Sequence, residues 1–237
     1  MKTRRIILAV MVTMLFAACG ENTKVNVEYD HPERYSVGDA VIAQPVTDIS
    51  ISWINGGVSI QYTDGPDFRI REESDSLLTD SLRMRYRLTD DGELKIQFCQ
   101  KGSYRAGRLV QINKRLVVEV PHDANLDEIE IDMVDGLITY DSVRCRTLDL
   151  DVVNVATTVC TNTLPHEVDV NAVKTTLRFY VPPTAGMTID MNSVSTELNC
   201  DLPVRKEGKK TVIGDGRCEV DLNAVKCSVF INGIPRQ

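Results

Sequence analysis

The sequence predicts an all-β domain wound as a parallel β-solenoid, a stack of short strands in coils of about twenty residues. Three observations carry this. Apolar residues make up 43% of the 237-residue chain while aromatics make up 5%, with one Trp, so a core must be built from Val, Ile and Leu, a bias that favours strands. Apolar and polar residues alternate along most of the chain, the period-2 pattern of half-buried strands. The second half repeats itself: Ile129-Glu-Ile-Asp-Met133, Leu148-Asp-Leu-Asp-Val152, Val168-Asp-Val-Asn-Ala172, Met187-Thr-Ile-Asp-Met191 and Cys218-Glu-Val-Asp-Leu222, offset by 19, 20, 19 and 31 residues.

Residues 1–18 read as an export signal: a basic start (Lys2, Arg4, Arg5), an apolar run from Ile6 to Phe16, then Ala17-Ala18 before Cys19. Eleven residues, apolar but for Thr13, are too few for a permanent membrane helix and suit a signal peptide. The small residues before the Cys resemble the lipobox of bacterial lipoproteins, which implies lipidation at Cys19 and a chain anchored on a membrane surface in the cell envelope, expected at the outer membrane. Phe16 stands where such boxes usually carry Leu. Residues 19–47, polar and then mixed without a helical period, are expected to form a tether. Residues 48–237 are expected to form the domain.

In the first half of the domain, Ile49-Ser-Ile-Ser-Trp53 and Gly56-Gly57-Val58-Ser-Ile60 read as strand, glycine turn, strand. Asp67 to Arg71, Gly92 to Ile96 and Arg115 to Pro121 add three more, the last closed by a proline that cannot donate to a ladder. In the second half each repeat is followed by a second short strand, as at Leu137 to Tyr140, Thr175 to Tyr180, Thr196 to Asn199 and Lys226 to Ile231. A unit this short cannot bury its own apolar face, so neighbouring copies must stack, with equivalent strands paired in parallel. Lys206-Glu-Gly-Lys-Lys210, in the extra length before the last copy, reads as an exposed hairpin or loop. A β-sandwich is the rival architecture, since regularly spaced short strands suit it too.

The net charge is −7, and −10 once the leader's three cations are removed. With no basic stripe, the chain is a poor partner for nucleic acid. Six Cys lie beyond Cys19, at 99, 145, 160, 200, 218 and 227. Their spacing matches no zinc pattern, and several stand at apolar strand positions, so buried free thiols are expected.

The residues between the apolar positions must point outward. Taking the repeats as aligned above, one outward file holds Glu130, Asp149, Asp169, Thr188 and Glu219, and the next holds Asp132, Asp151, Asn171, Asp190 and Asp221. Stacking about 4.8 Å apart crowds these carboxylates onto one flat face. Ca²⁺, which takes six to eight oxygens, is one candidate occupant, with Asp132, Asp151, Asp190 and Asp221 as its ligands. The Gly-rich nonapeptide of Ca²⁺-binding solenoids is absent, however, and a solvated face or a docking surface for a protein or glycan (Glu130, Asp149, Asp169, Glu219) explains the same pattern. Trp53 is a further candidate on that face, for stacking on a sugar, although an alternating strand also places such a residue in the core.

No HExxH, GxSxG or P-loop spacing occurs. His31 lies in the expected tether, while His122 and His166 each follow a proline in a turn. A non-catalytic binding or scaffold module is therefore expected. The alternative is a polysaccharide-acting envelope enzyme using carboxylates of the solenoid face as acid and base.

The order Ile-x-Ile-x-Trp-x-x-Gly-x-Val-x-Ile (Ile49 to Ile60), Gly-x-Leu-x-Ile (Gly92 to Ile96), Leu-Val-Val-Glu-Val-Pro (Leu116 to Pro121) and then repeated strand units resembles the DUF4097 family, a bacterial group of β-solenoid domains labelled as adhesins. Ile213-Gly-Asp-Gly216 is similar to that family's close, and the resemblance runs from Val46 to Ile234. It implies an adhesive or binding role and brings no catalytic residues. One feature departs from the family: of its Ser-Gly turns only Asp135-Gly136 keeps the glycine, with Asn154-Val155, Lys174-Thr175, Ser193-Val194 and Ala224-Val225 at the positions expected to be equivalent.

Overall fold

The computed structural model describes residues 24–234. The leader and Cys19 lie outside them. The alternating segments form strands that assemble into two large sheets with their apolar faces together, and the sandwich alternative gives way to a two-sided solenoid because the repeat strands pair in parallel, copy on copy.

In spatial order the front sheet runs Ser36–Val37, Arg85–Leu88, Glu93–Gln97, Asp48–Trp53, Leu126–Met133, Cys145–Val153, Glu167–Val173, Cys218–Val225, Met187–Val194, Lys210–Ile213, Val204–Glu207. The back sheet runs Ala40–Ile42, Phe68–Ser74, Lys114–Pro121, Gly56–Thr63, Gly136–Asp141, Val155–Cys160, Thr176–Val181, Ser228–Gly233, Glu197–Cys200. Each inner front strand turns into a back strand to complete a coil. Between the sheets lies one continuous core of aliphatic side chains, including Ile51, Ile60, Leu94, Ile131, Ile138, Leu148 and Leu177, none measurably exposed.

Coil order in space departs from chain order at both ends. The coil at 93–121 lies outside the one at 48–63, and the last coil, 218–233, is inserted between 167–181 and 187–200. At that end the chain leaves the outermost coil through an antiparallel hairpin, Val204–Glu207 with Lys210–Ile213 around Gly208, and then returns inward. The exposed Lys206–Lys210 turn expected from sequence is the tip of this hairpin.

The segment expected as a tether is instead built into the domain from residue 24 onward. Lys24–Val27 pairs antiparallel with Gly102–Arg105, Ser36–Val37 with Arg85 and Tyr86, and Ala40–Ile42 with 68–70. Val25, Ile42 and Val46 are buried. These strands are too short to announce themselves by alternation, and pairing at the sheet edges covers backbone groups that would otherwise stay open.

The corners follow the departure noted in the turns. Gly56 and Gly136 have positive φ, and at the equivalent corners Asn154, Lys174, Lys226 and Ser195 adopt the left-handed region with φ of 53–57°. A Cβ on Gly136 would meet the Gly56 carbonyl oxygen at 2.1 Å, so the glycine is required there by the close approach of two backbones. In the last two copies the corner residues are Ser195 and Lys226, two positions beyond those expected.

Candidate binding face

The same two-residue shift reorganises the outward face. The pairing register places Glu130, Asp149, Asp169, Asp221 and Asp190 in one file, continued by Ser50 and Lys95. The next file holds Gln97, Ser52, Asp132, Asp151, Asn171, Asn223 and Asn192. Glu219 and Thr188 leave the first file for a third, beside Glu167, Thr147, Glu128, Asp48 and Glu93. The expected alignment was wrong by two residues because period-2 alternation looks the same after a shift of two. The signal that resolves it is Asp-x-Asn-Ala/Ser-Val, present as Asp169 to Val173, Asp221 to Val225 and Asp190 to Val194.

The register has an electrostatic consequence. In the second file the asparagines form a ladder: the side-chain amide of Asn192 donates to Asn223 (3.5 Å), Asn223 to Asn171 (3.1 Å), and Asn171 to the Asp151 carboxylate (2.6 Å). Stacked amides satisfy each other across parallel strands, where stacked carboxylates would repel. At one end of the acidic file Ser50 donates to Glu130 at 3.1 Å, and at the other Lys210 Nζ lies 3.7 Å from Asp190.

The strain concentrates in the middle. Burial pushes the Asp132 carboxyl up to about 8, aided by the charges of Glu130, Asp151 and Asp149. Burial likewise pushes Asp149 to about 7, with Asp151, Asp169, Glu130 and Glu128 adding to the effect. Burial, reinforced by like-charged neighbours at strand spacing, thus disfavours the charged form of both carboxyls.

The residues expected to share a Ca²⁺ ion are not brought together. Asp132 and Asp151 are neighbours in the second file, whereas Asp221 and Asp190 are neighbours in the first. Among the described residues no three His, Cys, Asp or Glu side chains are grouped so as to hold a metal ion. A flat parallel sheet directs its carboxylates side by side, whereas Ca²⁺ requires oxygens converging from several directions.

Trp53 is not on this face. It points into the core with 2% of its surface exposed, packs edge-on against Phe98 (centroids 5.0 Å apart) and donates its indole N–H to the Lys114 carbonyl at 3.4 Å. Beside it lies a group that sequence patterning missed. Lys114 takes an inward strand position, fully buried, with Nζ 2.5 Å from Glu72, 2.8 Å from the Leu82 carbonyl, hydrogen-bonded to the Phe98 carbonyl, and over the Phe98 ring at 4.1 Å. The pairing partner comes from a strand 42 residues away in sequence, so no local signal announced it.

His122 stacks on Tyr62, with centroids 4.3 Å apart, and lies 3.6 Å from exposed Asp64. The six Cys are free, with Cys99, Cys218 and Cys227 buried. Two of the concavities among the described residues lie at turns of the coils. One is a corner groove lined by His166, Arg217 and the 162–165 and 182–186 turns, and the other is a pocket at the N-terminal end.

No family model matches the chain, nor does any curated protein. Solved structures do. A "putative cell adhesion protein" from Clostridium sporogenes ATCC 15579 superposes with a TM-score of 0.66 at 14% identity, over 84% of this chain and 100% of that one. A "putative adhesin" from Bacteroides fragilis NCTC 9343 matches over 85% and 98% of the two chains at 9% identity, with a TM-score of 0.32. The first likeness shows a shared all-β fold.

Proposed function

We propose that the chain is a non-catalytic binding module of the cell envelope, an adhesin of the DUF4097 type held to the outer membrane by a lipid on Cys19. The observation that carries this reading is the front face itself: in-register files of Asp, Glu and Asn that run flat across the coils instead of converging on a point. Such a surface suits a partner that is itself extended, a glycan or a protein, engaged at many weak positions. The order of motifs from Val46 to Ile234 and the fold shared with a protein named for cell adhesion support the same reading. The test is retention of beads coated with the mature chain on epithelial cells, mucin and bacterial cell walls, beside a variant with Glu130→Gln, Asp149→Asn, Asp169→Asn and Asp221→Asn. Retention that the variant loses supports the reading, and no retention on any surface overturns it. Lipidation is tested separately, by labelled-palmitate incorporation that Cys19→Ser should abolish.

One observation favours the second reading, an enzyme acting on polysaccharide. Burial beside other acidic side chains raises the Asp132 and Asp149 carboxyls to about 8 and about 7, the direction of shift a general acid requires. Release of reducing ends from envelope polysaccharides by the wild-type chain, lost in Asp132→Asn, would install that reading in place of the first.

A further inference from the structure

Four of the seven tyrosines, Tyr29, Tyr35, Tyr86 and Tyr104, gather in the strands and turns that close the N-terminal end of the solenoid. Two of them form the wall of a pocket of about 300 Å³. The rings of Tyr29 and Tyr35 lie 4.7 Å apart at 52°, an aromatic corner, and Pro32 adjoins it. Both tyrosines are partly exposed, and neither belongs to the continuous core between the sheets. The repeat does not need these rings to complete its core.

The polar side of the pocket is held in place by its surroundings. The Lys101 N–H donates to the Tyr29 hydroxyl at 2.9 Å, and the Tyr104 hydroxyl donates to the Gln100 carbonyl at 2.7 Å, so two tyrosines fix the turn that presents Gln100 and Lys101. Arg85, only 11% exposed, is braced by Asp80 at 2.9 Å. Lys101 Nζ meets Glu28 at 2.8 Å. Arg85 and Lys101 thus each have a carboxylate, and Glu33 at the rim pairs with His31 and Arg34. Balanced donors and acceptors beside two ring faces fit a ligand with hydroxyls at its edge, an apolar face and no net charge. The volume sits at the small end for ligand pockets, which suits a single ring better than an extended peptide. Supports of this kind lower the ordering cost of binding.

We infer that this pocket binds one neutral sugar ring of a glycan, stacked in the Tyr29–Tyr35 corner and hydrogen-bonded by Gln100, Lys101 and Arg85. The inference deepens the binding-module reading and rests on it, but it concerns the N-terminal end and not the acidic face. The test is saturation-transfer NMR and calorimetry on the mature chain with maltotriose, cellotriose and chitotriose as neutral probes, digalacturonate as an acidic one and a proline-rich decapeptide. The variants are Tyr35→Ala and Gln100→Ala, each checked for an unchanged melting temperature, with Thr158→Ala on the back sheet as control. The expected result is binding of at least one neutral trisaccharide, weakened tenfold or more by both pocket variants and untouched by the control. Binding of no saccharide, of digalacturonate or the peptide alone, or binding indifferent to Tyr35→Ala and Gln100→Ala would overturn it. Bead retention lost in the acidic-face variant would still stand in that case, which separates failure of the pocket from failure of the adhesive reading.

Discussion

Asn171 donates its side-chain amide to the carboxylate of Asp151, one coil away, at 2.6 Å. It also accepts from Asn223, so within the second file the carboxylates of Asp132 and Asp151 give way to an amide ladder. Replacing Asn171 by Asp keeps the shape and converts a donor into a like charge. The expected cost is about 1–2 kcal/mol at neutral pH, combining a lost charge-assisted hydrogen bond with repulsion across the strands. Urea unfolding at pH 7.5 and pH 5 checks this, and the penalty should shrink at the lower pH.

The raised carboxyls contribute a pH dependence to the stability of the fold. Asp132 and Asp149 titrate at about 8 and about 7 in the folded chain and near 4 when unfolded. Between those values the folded state holds more protons, so stability falls as pH rises. Their contribution is complete below about pH 4 and is lost as pH climbs through 7 and 8. Thermal unfolding across this range should show a declining melting temperature, and Asp132→Asn should flatten the decline. A melting temperature that rises from pH 5 to pH 8, after correction for the other acids, would contradict the crowding described.

Strand positions and inward residues were legible because alternation reports directly on which side of a sheet a residue faces. Alternation fixes register only modulo two and cannot report a shift of two residues. Glu219 and Asp221 were therefore assigned one file too far along, although the shared Asn-Ala-Val of 171–173 and 223–225 carried the answer. The exchange of the last two coils was invisible for a related reason: any copy stacks plausibly on any other, since all present Val, Leu and Ile inward. Lys114 and Glu72 escaped because a buried pair made between distant strands leaves no local pattern.

That pair makes a separate prediction. Burial lowers the Lys114 ammonium from its ordinary range, while Glu72 opposes the shift. Glu72 also accepts the Met84 N–H at 2.9 Å. Removing one partner leaves a buried charge unpaired, so Glu72→Met or Lys114→Met alone should cost about 3–5 kcal/mol. The double substitution Glu72→Met with Lys114→Met should recover much of that loss. A double-mutant cycle in urea measures it, and strictly additive losses would show that the two groups are not coupled.

The non-glycine corners offer stability. Lys174 and Lys226 hold φ of 53° and 57°, a conformation costing an L residue about 1–2 kcal/mol. Glycine relieves the steric part and gives back some of it as unfolded-chain entropy, so Lys174→Gly and Lys226→Gly should each stabilise by about 0.5 kcal/mol. Gly136→Ala should do the reverse and by more, because its Cβ would overlap a neighbouring backbone. Chemical denaturation of the three variants tests both signs together.

The inserted last coil yields the sharpest contrast. Residues 218–233 pair with 167–181 on one side and with 187–200 on the other. Truncation after residue 217 therefore strips the partner from both neighbours at once and removes buried Val220, Leu222, Val229 and Ile231 from the core. The chain already approaches itself at the point of exchange, where the Cys218 N–H donates to the Gly186 carbonyl at 3.0 Å. Deleting residues 187–216 and joining Gly186 to Arg217 should then leave the remaining coils stacked in sequence order, losing only the outermost coil and its hairpin. Because each coil touches only its neighbours, the internal deletion should unfold cooperatively with a modestly lowered midpoint. The shorter truncation, although it removes fewer residues, should expose the C-terminal half to protease. Equal protease resistance in the two chains would mean that the last coil is not seated between the other two.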